Sequence, residues 1–372
     1  MSNDLTVFDD STEARPEPAD PPPASATSVA APNESLTPAS TGHDRAAPDD
    51  EQSTTDATPV PRRWRIDPAT VGRVVVAPLV GILAFLMVWA ILAPRVETSL
   101  GTLPGPAEVW DAGVGLYDDW QAERDAEARF YADQDVRNAE LIDAGRESEV
   151  TDFTYAGSPT FPDQIWTSLR TVALGFLIGS LVAIPLGLLA GLSRWFSAAI
   201  NPLVQIFRPV SPLAWLPIVT MVVAATVTSN DPLLPKAFII SAIVVALNSL
   251  WPTLINTGVG AASVDQDLLN VAKVLRLGWF TKLRKVVLPS ALPYIFTGLR
   301  LSLGVGWMVL IAAEMLAQNP GLGKFVWDEF QNGSSESLSR IMFAVFVIGI
   351  IGFALDRLMS ALEKFVGRNH TS

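Results

Sequence analysis

The chain has 372 residues, 49% of them hydrophobic, and a mean hydropathy of +0.32; that composition, with long uncharged runs, excludes a wholly disordered protein and points to a membrane. There are no cysteines, and the two histidines, His43 and His370, lie near the ends, which excludes a disulfide framework, thiolate metal sites and a histidine-based centre. The net charge of −12 divides into −10 on residues 1–61, −11 on 93–165 and +9 on the rest, so two acidic segments are attached to a basic apolar body, and no nucleic-acid surface is offered.

Residues 1–61 are rich in Pro, Ala, Ser, Thr, Asp and Glu. Such a tail buries too little surface to offset its ordering entropy and is expected to be disordered; no apolar core follows the start closely enough for a signal peptide. Residues 62–93 carry a first transmembrane helix, Val74–Leu92, behind Arg62, Arg63, Arg65 and Arg73. Residues 94–165 form an acidic loop in which 111–144 reads as one or two exposed helices, either a solvated insertion or a contact surface for an extracytoplasmic partner. Five further spans follow in 166–365, each judged against the roughly 20 apolar residues that a bilayer core requires. They are Thr171–Leu192, Pro209–Ser229, Ala237–Ile255, a fifth running from Val286 through Arg300 to Ala313, and Ile341–Leu355 before Asp356 and Arg357. The fold class is therefore an all-α membrane protein with six transmembrane helices. Basic residues at 62–73, 194, 270–289, 357, 364 and 368 place those segments and both termini in the cytoplasm, leaving the acidic loop outside.

Between the fourth and fifth spans runs Asn270–Pro289, NVAKVLRLGWFTKLRKVVLP. A basic, amphipathic loop between two apolar segments implies that something soluble docks there. Ser263 to Gln266 fits a helix-start capping box. Leu268, Val271, Ala272 and Leu275 then share one helical face, and Gly278 is the expected stop, where glycine relieves left-handed strain. Phe280, Leu283 and Val287 repeat the apolar spacing while Lys282, Arg284 and Lys285 face elsewhere. The expectation is two short helices with a bend, entering the fifth span at Pro289 and Pro293.

This segment resembles the cytoplasmic loop of ATP-binding-cassette (ABC) importer permeases, whose signature is Glu-Ala-Ala, three residues, Gly, nine residues, Ile, any residue, Leu-Pro. Aligned on Leu288-Pro289, the Ile position is Val286, the Gly position is Arg276 and the Glu-Ala-Ala positions are Asn270, Val271 and Ala272. Ala272, Leu288 and Pro289 match and Val286 is conservative; Asn270, Val271 and Arg276 depart, and Gly278 lies two positions late. The stretches 208–218 (RPVSPLAWLPI), 290–300 (SALPYIFTGLR), 312–316 (AAEML) and 325–328 (FVWD), with 103–109 (LPGPAEV), are similar to the nitrate permease branch of the nitrate, sulfonate, taurine and bicarbonate group. The similarity covers about residues 70–365. It implies a type I ABC importer permease fold, with 166–365 as permease core and 263–289 as coupling loop. It also implies two permease copies, separate ATPase subunits that hold the ATP and Mg, and an extracytoplasmic substrate-binding protein. ATPase coupling falls, on this resemblance, to Leu268, Val271, Ala272, Leu275, Arg276, Leu277, Gly278 and Pro289. No cofactor and no catalytic residue is expected in this chain.

For the translocation pathway the candidates are Arg208, Ser211, Trp215, Arg300 and Glu314. Pro209, Pro212 and Pro217 break helix continuity, and irregular backbone at membrane depth is tolerated only where protein covers it or a cavity wets it; 208–218 either lines the pathway or is a simple kink. Arg208 is an inner-surface anchor or an attractor for an anion. Arg300 faces the route, snorkels, or braces the loop, and Glu314, about 21 Å away along the same helix, suits a structural salt bridge or a gate. Gly321-Leu322-Gly323-Lys324 fails as a phosphate loop, since no Ser or Thr follows the lysine. The expected function is a plasma-membrane permease subunit for a small oxyanion, nitrate or nitrite first, with bicarbonate, taurine and alkanesulfonate as alternatives. An ion-coupled secondary transporter or channel has no need of the 270–289 loop, and a membrane enzyme lacks a catalytic cluster.

Overall fold

A computed structural model describes residues 76–98, 101–228 and 234–368. The acidic tail 1–61, the basic flank 62–73, His43, His370 and the link around Asp231 lie outside the described residues. Among the described residues the only strands are β1 (Glu97–Thr98) and β2 (Gly101–Thr102), a two-rung antiparallel ladder. The rest of the regular structure is helical, as the apolar runs require of a chain that spans a bilayer.

The first span is α1 (Ala77–Leu92), whose side chains are nearly all exposed on the monomer. One anchor holds it: Trp89 Nε1 donates to the Pro104 carbonyl at 3.2 Å and its ring lies 5.1 Å from Phe346. The acidic segment then forms a single helix, α2 (Pro106–Asp143), about 57 Å long at 1.5 Å per residue. A return strand of coil runs back along it: Gln134 accepts from the Phe153 backbone at 2.8 Å, Asn138 donates to Asp152 at 3.0 Å, and the Tyr155 hydroxyl donates to Glu123 at 3.0 Å. The Glu123 carboxylate raises the Tyr155 phenol above its ordinary range by that bond. Helix and return together make a hairpin that marks one end of the molecule, here the hairpin end; the 263–289 loop marks the other, the loop end.

Next come α3 (Phe161–Leu192) and, after a bent pair described below, α6 (Lys236–Ala262). Glycines let these two helices touch backbone to backbone. A methyl at Gly175 would stand 2.6 Å from the Ala242 carbonyl, at Gly187 2.7 Å from that of Leu254, and at Gly191 2.4 Å from that of Gly258. Against α6 also packs a continuous rod from Trp279 to Ala317: α8 (Trp279–Lys282), a widened π turn (Leu283–Val287) and α9 (Leu288–Ala317). The π turn has a cause in the sequence: Pro289 has no N–H to give the Lys285 carbonyl and its ring would collide with it, so the helix opens one residue earlier. The last elements are α10 (Leu322–Asn332) and α11 (Ser335–Arg368).

The expected spans Thr171–Leu192 and Ile341–Leu355 lie in helices that begin well before their apolar runs. The helix α3 begins ten residues before Thr171, and α11 begins six before Ile341. The additional turns bury a cluster of their own at the hairpin end, with Phe161 4.9 Å from the Phe325 ring and 5.6 Å from Phe343, and Leu116 and Leu322 beside them. Each such side chain contributes about 1.5–3 kcal/mol when buried, enough to carry a helix past the point where hydropathy stops.

The third expected span, Pro209–Ser229, is not one straight helix. Its apolar run gives α5 (Pro212–Thr226), only 15 residues or about 22 Å. In front of it stands α4 (Arg194–Phe207), capped by Ser193, whose Oγ accepts the Phe196 N–H at 3.3 Å. The two are bent by 101°, and the coil between them holds Arg208 to Ser211. Polar residues on α4 (Arg194, Ser197, Asn201, Gln205) hide it from a search for uncharged runs.

Candidate functional site

At the loop end α6 finishes at Ser263, whose hydroxyl donates to the Gly260 carbonyl at 3.0 Å. Ser263 therefore closes one helix rather than opening the next. The cap of α7 (Gln266–Val274) is Asp265, whose carboxylate accepts the Asp267 N–H at 2.9 Å. Ala272 is buried against the body of the protein, and Leu269, Val264, Val287 and Leu188 pack as one cluster beneath it. Leu268, Val271 and Leu275 point away, so the four residues expected on one face divide between an anchoring side and an open side. The open side also carries Val274, 82% exposed, and the exposed Trp279 and Phe280. The sequence reading missed Val274 and Trp279 because it looked for burial periodicity, whereas this face is apolar and uncovered.

The bend after α7 is a Schellman turn: the Leu277 N–H reaches the Ala272 carbonyl at 3.0 Å and the Arg276 N–H reaches Lys273 at 3.0 Å. The left-handed residue of that turn is Arg276, at φ +48°. Gly278, expected as the left-handed stop, instead has φ −60° and ψ 156°, and precedes α8 in an extended conformation open to any residue. Arg276, aligned with the signature's Gly position, thus holds the left-handed conformation that glycine adopts most readily. Pro289 acts through the π turn, at the root of the rod.

Farther along, the break between α4 and α5 lies beside the middle of α6. Val204, one turn before the break, is buried in a cluster with Ala183 and Leu254; Leu216, just after it, packs in a cluster with Val244, Leu247 and Val305. Leu247 and Leu254 bracket the midpoint of α6. Arg208 and Ser211 are exposed at the break, and Trp215 is half-buried with its ring 5.7 Å from Phe207, bridging it. Arg208 has no acidic partner among the described residues. At the start of α5 Pro212 has no N–H and the Ala214 N–H is taken by the Ser211 carbonyl at 2.9 Å, which leaves the Leu213 N–H and the helix dipole, and a helix N-terminus favours negative charge.

Arg300 is braced. Its guanidinium makes a two-point pair with Asp356 of α11, Nε to Oδ1 at 2.5 Å and Nη2 to Oδ2 at 2.8 Å. Beside the pair opens a groove of about 600 Å³ whose walls include Thr297, Leu301, Gly304, Val305 and Met308. Val305 belongs both to this groove and to the cluster at the foot of α5. Val305 is thus a residue of α9 shared between the wall of the Arg300 groove and the packing of α5.

Glu314 stands apart, at the hairpin end of the rod. It is fully buried, and the salt bridge expected for it is absent among the described residues. Neutral donors take that place: Ser168 Oγ at 2.7 Å, the Gly323 N–H at 3.0 Å and Asn319 Nδ2 at 3.4 Å. The same Ser168 oxygen accepts the Leu322 N–H at 2.9 Å. Carboxylate and hydroxyl thus cap the start of α10, where orphan N–H groups and the helix dipole call for an acceptor. The glycines of the rejected phosphate loop are explained here, because a methyl on Gly321 would meet Glu314 Oε1 at 2.2 Å and one on Gly323 the Ile311 carbonyl at 2.1 Å. Glu314 is enclosed structure, closed off from the region of the break.

Comparison with known proteins matches residues 183–368 to the family described as binding-protein-dependent transport system inner membrane component. The chain is 35% identical over 296 residues to the bicarbonate transport system permease protein CmpB of Synechococcus elongatus, covering 79% of this chain and 90% of that one. It is 41% identical over 204 residues to the nitrate import permease protein NrtB of Synechocystis sp., covering 55% and 69%. Among solved structures, it is similar to the inward-facing MetNI methionine ABC transporter, with a TM-score of 0.44 and 18% identity over 54% of this chain and 95% of that chain.

Proposed function

The chain belongs to the family of binding-protein-dependent transport system inner membrane components, the permease subunits of ABC importers, and from that premise we propose that it moves a small oxyanion, nitrate or nitrite first, along a route past the α4–α5 break. It is an all-α, multi-pass membrane protein of the nitrate and bicarbonate group, and its relatives are permeases rather than enzymes. The reading adds a cargo, a route and a drive.

One observation carries it: an apolar patch left open among the described residues spans α7 and the start of the rigid rod that carries Arg300 farther along. Leu268, Val271, Val274, Leu275, Trp279 and Phe280 offer a greasy face ringed by Lys273, Arg276 and Lys282, which suits a groove in a soluble ATPase that holds the ATP and Mg. A push on α8 travels through the π turn into α9 without a joint. The concentration of basic residues at that end supports a cytoplasmic side for it and for both termini, with the acidic hairpin facing the extracytoplasmic binding protein. The groove face of α9 and the exposed side of α5 suit a second copy of the chain, giving a homodimer with the route between copies.

At the break, Arg208 and the N-terminus of α5 supply positive potential halfway across, as expected for a discontinuous helix that passes an anion. Bicarbonate is the second reading, favoured by the match to a bicarbonate permease over more of this chain. The test is uptake of labelled nitrate and bicarbonate by the permease reconstituted with its ATPase and binding protein; ATP-dependent uptake of neither refutes the cargo. Crosslinking from Val274 that captures no ATPase refutes the drive.

A further inference from the structure

We propose that Arg300 is an exchange site for a planar oxyanion, and that Asp356 occupies its two-oxygen slot when cargo is absent. The inference rests on the oxyanion reading above and names a residue-level site for it. The guanidinium presents Nε and Nη2 in one plane to the two Asp356 oxygens, at 2.5 and 2.8 Å. That fork recognises any planar group with two oxygens on one atom. Nitrate, nitrite and bicarbonate have this shape, and a carboxylate is its closest side-chain equivalent.

Three further observations turn a brace into an exchange site. First, the pair is not sealed: the side chains of Arg300 and Asp356 remain 39% and 33% exposed, on the edge of the groove of about 600 Å³. Charges at membrane depth are tolerated beside a partner or water, not lipid, so this groove is part of a protected or wet route. Second, Asp356 has a second cation at hand, since Arg357 Nη2 donates to its Oδ2 at 2.8 Å. A carboxylate displaced from Arg300 is still neutralised, which lowers the cost of exchange. Third, Val305 lines the groove and also packs in the cluster that holds α5, so the groove and the helix that follows the break meet α9 at a common residue.

The groove's charge fits transient binding. At rest Arg300 and Asp356 cancel, and Glu363, also on the groove wall, makes the site unattractive to anions. Only when Asp356 turns to Arg357 does the guanidinium become a receptor, and Glu363 then disfavours long residence.

The experiment uses the complete importer in proteoliposomes, with labelled nitrate and bicarbonate as probes. Arg300→Met with Asp356→Leu removes both charges together, leaving neither unpaired. Expected is a complex of normal membrane abundance that still co-purifies with the ATPase, and uptake reduced at least about tenfold, the worth of one charge-assisted contact. Asp356→Asn alone weakens the internal competitor; the half-saturating anion concentration is expected to fall about tenfold and the maximal rate with it. Should the double variant fail to insert, Arg300→Lys keeps the charge but loses the fork, and is expected to insert normally and lose uptake. Wild-type uptake in the double variant, or in Arg300→Lys, overturns the proposal and leaves the pair a helix brace. Absence of anion uptake by the unaltered complex refutes the oxyanion reading itself, a separate result.

Discussion

At the loop end the rod 279–317 begins beside six apolar side chains that stand exposed among the described residues; at the hairpin end it finishes in a carboxylate enclosed by Ser168, Asn319 and Gly323. The first end offers an open apolar face and the second holds its own neighbours. One rod therefore starts beside an open apolar face and ends in an internal clamp, about 50 Å apart. Displacement imposed at α8 reaches α10 and the start of α3 through Glu314, with the Arg300–Asp356 pair carrying α11 along midway. Under the proposed coupling to a separate ATPase, this asymmetry leaves the loop end free for docking and the hairpin end fixed.

The largest expected effect comes from opening the clamp. Glu314→Ala deprives three donors of their acceptor at once, and each unsatisfied buried donor costs about 1–3 kcal/mol. Thermal unfolding of the purified permease should shift down by the equivalent of about 3–5 kcal/mol, with lower membrane abundance. Glu314→Gln keeps an acceptor oxygen and should recover most of the loss. An alanine variant that unfolds with the wild type would show that Glu314 bears no structural weight and return it to the pathway.

Docking comes next. Val274→Glu puts a charge at the most exposed apolar point of α7 without touching the packing of Ala272 or Leu269. Stability should stay within about 0.5 kcal/mol of wild type, as for other surface changes, while ATP-driven uptake falls about tenfold and the ATPase washes off during purification. The same charge at Leu275 should behave alike. Retained coupling in both variants would mean that the patch is not the grip.

How much of this contrast was legible follows from which physical signal each end emits. Apolar runs announce spans, and five of the six expected ones correspond to single long helices; the third run marks only half a crossing, because α4 displays a polar flank and Pro209 and Pro212 lie at the bend. The loop was legible through its resemblance to a known signature and its unusual mixture of basic and apolar residues. Glu314 drew notice as an isolated charge, but its partners are a serine 146 residues away and a backbone N–H supplied by a glycine turn, and neither leaves a local pattern. Asp356 was visible only as the end of an apolar run; its pairing with Arg300 spans 56 residues and needs the fold to be seen.

A smaller effect sharpens the loop end itself. Arg276 holds a left-handed backbone, φ +48°, which costs a residue with a Cβ about 1–2 kcal/mol. Arg276→Gly should stabilise the turn by about 1 kcal/mol after the entropy of glycine is subtracted. Because the arginine borders the docking patch, uptake distinguishes two roles. Unchanged transport makes the side chain incidental, and reduced transport with a more stable protein makes its charge part of the ATPase contact.

The smallest effect decides where the left-handed step lies. Sequence reasoning put it at Gly278, the only glycine nearby; the backbone puts it at Arg276 and leaves Gly278 extended with no atom within 4 Å of an added methyl. Gly278→Ala then meets no steric or conformational objection, and restricting the unfolded chain should raise stability by about 0.4–1 kcal/mol. Were Gly278 the left-handed residue, the same change would lower stability by a similar amount. A thermal shift of the variant upward or downward therefore assigns the turn by its sign alone, and a downward shift would also withdraw the alignment of Arg276 with the signature glycine.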